Sequence, residues 1–96
     1  MKLNKKQIDI IDQTISVPLM AFGLSKFTEK INEDNLQKIK KLLEEIKISN
    51  EIKKEDIHLC LKAFIVARDI IDEREYQTIT GFTWEESLDL ILFLID

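Results

Sequence analysis

In this chain of 96 residues, few side chains are suited to chemistry: one cysteine, Cys60, one histidine, His58, and eighteen carboxylates. A thiolate nucleophile needs a base within hydrogen-bond reach. His58 and Cys60 are two positions apart, which on a helix turns them roughly 200° from each other, so they do not form such a pair. Cys60 falls among apolar neighbours and reads as a small buried hydrophobe. His58 falls on the polar side near Lys62 and reads as a solvated imidazole. A single cysteine and a single histidine exclude an internal disulfide, a cysteine zinc cluster and any site needing two imidazoles. Gly23 and Gly81 are too far apart to share a phosphate-cradling loop. The adjacent acid pairs Asp72-Glu73 and Glu85-Glu86 lack the Glu-x-x-His spacing of di-metal bundles, and no oxygen-rich calcium loop with a mid-loop glycine is present. The expectation is a protein without catalytic residues, metal or cofactor, and not an enzyme.

The carboxylates point to recognition instead. Drawn as one continuous helix, residues 57–78 place Asp69, Asp72, Glu73 and Tyr76 in a single sector about 100° wide. Glu75 falls off that stripe, toward the side of Ile57. Acids near a helix C-terminus oppose the helix dipole, and Asp69 also neighbours Asp72 and Glu73 as a like charge. The local cost is about 1 kcal/mol, partly offset by Arg68 four residues before Asp72. Acids that work against their own helix, with a tyrosine among them, suit a partner-binding surface, because tyrosine is an anchoring type and charge steers encounter. An ordinary solvated helix face accounts for the same residues equally well. Glu85 and Glu86 open the following helix, where negative charge is stabilising, and would enlarge the acidic region if the turn at Gly81 folds back.

These residues need elements to position them, and the apolar spacing of three and four throughout predicts helices. Asn4 with Gln7 makes a capping box ahead of Ile8, Ile11 and Ile15. Pro18 ends that segment or opens the next. Met20, Leu24, Phe27 and Ile31 follow at helical spacing, with Gly23 a weak or close-packing point. Asn32 caps a helix with an apolar face of Leu36, Ile39, Leu42, Leu43 and Ile46. Ser49-Asn50 is the linker, and Lys47–Ile52 and Ile79–Phe82 are short enough to be extended. From about Asp56 a long helix is apolar over most of its circumference, which marks a central element. Gly81 stops it, and Thr83 with Glu86 caps a last helix that buries Trp84, Leu88, Ile91, Leu92 and Ile95. The fold class expected is all-α, a compact single-domain bundle of about five helices covering residues 1–96, with a central helix near residues 56–78.

Length and charge agree with this. A chain this size buries roughly two-thirds of its unfolded surface, enough for one core. The net charge of −4 is unevenly spread. Residues 1–54 carry eleven lysines against eight acids, a net of +3, whereas residues 55–96 carry three basic residues against ten acids, a net of −7. The acidic half disfavours nucleic acid and favours a basic partner. Lys38, Lys40, Lys41 and Lys47 form a basic run, but Glu44 and Glu45 lie one turn from Lys40 and Lys41 and no aromatic or arginine interleaves it. The basic start, Met1 to Lys6, is followed by Asp9 and Asp12 and by no apolar core, unlike a signal peptide. The apolar run Leu90–Ile95 is far too short to span a bilayer. A cytoplasmic protein with a reduced thiol and no membrane association is expected.

The segment from Asp72 to Glu86 adds a likeness. Its acidic helix end, the Glu75-Tyr76-Gln77-Thr78 stretch, the Gly81-Phe82-Thr83 turn and the Glu85-Glu86 helix start before leucines resemble small bacterial immunity proteins of contact-dependent growth inhibition and other polymorphic toxin systems. The likeness covers about a fifth of the chain and carries no catalytic motif. It implies an inhibitor that binds the C-terminal domain of a cognate toxin one-to-one and occludes its active site. A nuclease toxin with a basic, phosphate-binding cleft would meet Asp69, Asp72, Glu73, Tyr76, Glu75, Glu85 and Glu86. Two other readings stay open: a helical adaptor or assembly subunit that self-associates through apolar faces such as Leu88–Ile95, and a nucleic-acid-binding subunit using the lysine-rich half.

Overall fold

The computed structural model describes residues 1–20 and 24–96, with Leu24 and Ser25 described by backbone alone. Six helices follow one another among these residues: α1 Lys5–Met20, α2 Leu24–Lys30, α3 Glu33–Ser49, α4 Lys54–Ile71, α5 Glu73–Thr80 and α6 Trp84–Ile95. The fold is all-α, and α4 is its axis, with the other five helices packed on it. Its Cys60, Ala63, Phe64, Ala67 and Ile71 are buried, while Ile57, Leu59, Leu61, Val66 and Ile70 are half-buried against the helices around it.

The helix starts follow their caps. Asn4 Oδ1 accepts from the Gln7 backbone N–H at 2.8 Å, and Gln7 Oε1 accepts from the Asn4 N–H at 2.9 Å, the reciprocal box. Asn32 accepts from Asn35 at 2.9 Å, so two donors that the first turns of α1 and α3 leave open are satisfied. The apolar face of α3, Leu36, Ile39, Leu42, Leu43 and Ile46, is buried as its spacing predicts. Asn50 closes α3 in the left-handed conformation at φ 59°, which its short polar side chain tolerates. The first residues then pair with the linker: Leu3 N–H donates to Asn50 C=O at 2.9 Å and Ile52 N–H to Met1 C=O at 2.9 Å.

Four local expectations need correction. Pro18 neither ends α1 nor opens α2; it sits buried two residues before the α1 terminus. Met20 lies 86% exposed, off the face of Phe27 and Ile31, both of which are buried; the expectations for Gly23 and for the Leu24 side chain fall outside the described residues. Lys47–Ser49 and Ile79–Thr80 are helical rather than extended. The last helix is rotated from its expected setting: Ser87, Leu90, Ile91 and Leu94 face inward, whereas Leu88, Leu92 and Ile95 are 45%, 54% and 63% exposed. An apolar set on several sides of a helix leaves its rotation open, and polar ties to α1 and α4 decide it here.

The long helix also divides. It stops at Ile71, and Asp72 takes φ 76°, ψ 138° before α5 begins. A positive φ is costly for a non-glycine residue and breaks the helical hydrogen-bond ladder. The single sector drawn for residues 57–78 therefore does not exist in three dimensions.

Candidate acidic surface

Asp72 serves both helices. It ends α4, its Oδ1 accepts from Arg74 N–H at 3.4 Å, and its C=O accepts from Glu75 N–H at 3.3 Å. Glu73 and Glu75 consequently occupy the first turn of α5. Negative charge there is favoured by the helix dipole, the reverse of the unfavourable placement that an unbroken helix would impose. Only Asp69 remains in the last turn of α4, where it opposes the dipole. Asp69, Asp72, Glu73 and Glu75 are all exposed, and so is Glu85 in the first turn of α6.

Tyr76 does not join them at the surface. It is fully buried, and its hydroxyl meets Thr14 Oγ1 of α1 at 2.5 Å. Its ring stands edge-on to Trp84 at 5.3 Å between centroids. The Arg68 guanidinium lies over the Trp84 ring, 3.6 Å from the indole centroid, a cation–π stack. Arg68 Nε donates to Ser87 Oγ at 2.7 Å, and Ser87 Oγ donates to the Trp84 carbonyl at 2.6 Å. Thr80 Oγ1 donates to the Tyr76 carbonyl at 2.8 Å. These contacts tie α1, α4, α5 and α6 together directly beneath the exposed acids. The break at Asp72 is what turns Tyr76 inward, so its role is to hold the surface and not to touch a partner.

Electrostatics follow from this burial. Desolvation pushes the Tyr76 hydroxyl above the usual tyrosine range, opposed by its hydrogen bond to Thr14, by the neighbouring Ser87 and Thr80 hydroxyls and by the Arg68 charge. Desolvation also lowers Arg68, opposed by Tyr76 and Glu73. Because Arg68 turns inward onto Trp84, its charge is partly withdrawn from the carboxylates outside. Arg74 remains exposed beside them. Lys30 lies across a cleft of about 320 Å³ whose walls include Asp69, Arg68, Ile65 and Trp84.

Glu86 is set apart from the other acids. Its Oε1 accepts from the Thr83 N–H at 2.9 Å, Thr83 Oγ1 accepts from the Glu86 N–H at 3.1 Å, and Lys6 reaches its Oε2 at 2.5 Å. The Lys6 hydrogen bond first, then the Thr83 N–H, hold its carboxyl down at about 2. Glu86 thus acts as the cap of α6 and its tie to α1, a local structural role beside the contact role expected of it.

The remaining candidates sit where their spacing placed them. Cys60 is buried, and desolvation, aided by Asp56, pushes its thiol up to about 12, so it stays protonated and unreactive. His58 is exposed. In the basic run Lys47 pairs with Asp12 at 2.9 Å. Among the described residues no group of His, Cys, Asp and Glu is arranged to hold a metal ion, and no helix is long and apolar enough to cross a membrane.

Sequence reasoning missed Thr14, Arg68, Ser87 and Trp84 as one unit. A signal was available: Thr14 interrupts the apolar face between Ile11 and Ile15, and a buried hydroxyl there needs a partner. Comparison with protein-family models, with curated proteins and with solved structures gives no match to this chain.

Proposed function

We propose that this chain is an immunity protein that binds a cognate bacterial toxin domain, one with a basic active-site cleft of nuclease type, and occludes it one-to-one with an acidic surface in the cytoplasm. The observation that carries the reading is that exposed carboxylates stand at three helix ends: Asp69 in the last turn of α4, Asp72 at the cap of α5 with Glu73 and Glu75 in its first turn, and Glu85 in the first turn of α6. Those on α5 and α6 are favoured by the helix termini they occupy, so the fold presents the charge at little cost. A rigid base of buried side chains fixes where the acids point, which lowers the ordering cost of binding. Exposed carboxylates can take the place of backbone phosphates in a cleft lined by lysine and arginine, without requiring any reaction from this chain.

The test is co-expression with the product of the adjacent open reading frame, followed by binding measurements across a salt series. A one-to-one complex that weakens with salt is expected, and the variant D69N/D72N/E73Q/E75Q should associate at least tenfold more slowly, in line with electrostatic steering. Unchanged association by that variant would remove the acidic surface from the interface.

A further inference from the structure

Asp72 is the single residue between α4 and α5, and it holds φ 76°, ψ 138°. That pair lies outside the left-handed helical well and close to a region that is essentially glycine's own, so the conformation is strained for an aspartate. Nothing nearby in the chain asks for the break. From Lys54 to Thr80 there is neither glycine nor proline. The hydrogen bonds that replace the helical ladder at the break are long, 3.4 Å from Arg74 N–H to Asp72 Oδ1 and 3.3 Å from Glu75 N–H to the Asp72 carbonyl. Local preference favours one continuous helix, and contacts made elsewhere impose the bend.

Those contacts share a property. Tyr76 bonds Thr14, Glu86 pairs with Lys6, and Ser87 and Trp84 hold Arg68. In each, one member precedes Asp72 and the other follows it. Leu90, Ile91 and Leu94 of α6 are likewise buried in a core built mostly by residues before Asp72. The Tyr76–Trp84 edge contact stays within the later segment. Residues 73–96 are therefore a unit whose ties to the rest of the fold cross one hinge residue, and a second copy of the chain offers that unit the same seat. We propose that two copies exchange α5 and α6. Asp72 relaxes to helical dihedrals, α4 and α5 join into one helix, and the unit docks on the other molecule. Tyr76 then meets the partner subunit's Thr14, Glu86 meets the partner subunit's Lys6, and Trp84 and Ser87 hold the partner subunit's Arg68. Each tie is kept and two strained hinges are relieved per dimer, the circumstance in which a short hinge favours exchange. Association entropy and charge oppose it. The straightened helices pass each other at the hinge and bring Asp69, Asp72, Glu73 and Glu75 of both copies together, with Arg74 the exposed base among them. The closed monomer is thus the state of dilute chains, and the exchanged dimer forms when chains refold at high concentration.

Refolding the whole chain from denaturant at millimolar concentration, followed by sedimentation velocity, tests this without any other protein. A dimer that returns to monomer slowly on dilution is expected. Asp72→Ala, worse at positive φ and better in a helix, should raise the dimer association constant by about tenfold or more, and Asp72→Gly should lower it by as much. Circular dichroism checks that both variants fold. Carbodiimide coupling then identifies the exchange: in the Asp72→Ala background, a Lys6→Met chain refolded with a Glu86→Gln chain should yield a Lys6–Glu86 amide by peptide mapping, which only two chains can make. A folded Asp72→Ala chain that stays monomeric overturns the proposal, and so does a dimer without that link. If Asp72→Ala does not fold, more dimer from the unaltered chain than from Asp72→Gly supports the proposal, and equal amounts overturn it. No toxin takes part, so failure of exchange and failure of toxin binding are separate results.

Discussion

The two ends of α4 are held by different means. At the C-terminal end Arg68 bonds Ser87 and stacks on Trp84, Trp84 meets Tyr76, and Tyr76 bonds Thr14, so four helices are fixed by directional contacts. At the N-terminal end Ile57 and Leu61 lie half-buried beside an open groove, and the nearest backbone ties are those of Met1 with Ile52. Directional contacts specify one arrangement and make the surface above them rigid. Apolar contacts are tolerant of rearrangement and leave area uncovered. The rigid end presents charge, and the tolerant end presents apolar surface.

Substitutions can break that contrast. The largest effect is expected from Tyr76→Ala, a loss of about 3–5 kcal/mol in denaturant unfolding, because a fully buried ring and a hydrogen bond disappear together. Ile57→Ala at the other end should cost clearly less, about 1–2 kcal/mol, since a half-buried side chain leaves no sealed cavity. Equal losses would mean that the two ends are not held differently. Tyr76→Phe isolates the hydroxyl: about 1–2 kcal/mol is expected, with Thr14 left to find another partner, and Thr14→Val in the same background should add little. Gly81→Ala should cost about 1 kcal/mol from backbone alone, because Gly81 has φ 83° and a methyl group there meets no atom within 4 Å.

The smallest expected effects are those of pH, and they separate the two ties of α6. The Glu86 carboxyl is depressed in the folded chain, so its contribution is present above the ordinary carboxylate value of 4.5 and is lost as pH falls toward about 2. Lys6→Met should flatten that acid limb of a stability–pH curve. Tyr76 and Cys60 are raised, so their contributions are whole below the ordinary values of 10.0 and 9.0 and are lost as pH rises through the folded values. Tyr76→Phe should therefore shift the alkaline limb and leave the acid limb alone, as followed by thermal unfolding.

Much of this fold was legible from residue types and spacing. The capping boxes at Asn4 and Thr83, the Asn32 cap, the glycine stop at Gly81 and the buried face of α3 follow from interactions within a few residues of each other. So does the burial of Cys60 on the inner side of the central helix. Local hydrogen bonding and helical period act over one or two turns, and those distances are written in the chain. The acids at 69, 72, 73, 75 and 85 were equally legible as exposed, because no apolar neighbour requires them inside.

Only the packed structure decided where the long helix breaks, which way Tyr76 turns and which face of α6 is covered. Asp72 adopts a positive φ although its identity does not demand it, because the tyrosine ring four residues on gains burial, Thr14 and Trp84 in exchange. The rotation of α6 likewise depends on Arg68 and Lys6, partners 19 residues before Ser87 and 80 before Glu86. A residue's own period says that it is apolar on some side; contacts between distant segments say which side is filled.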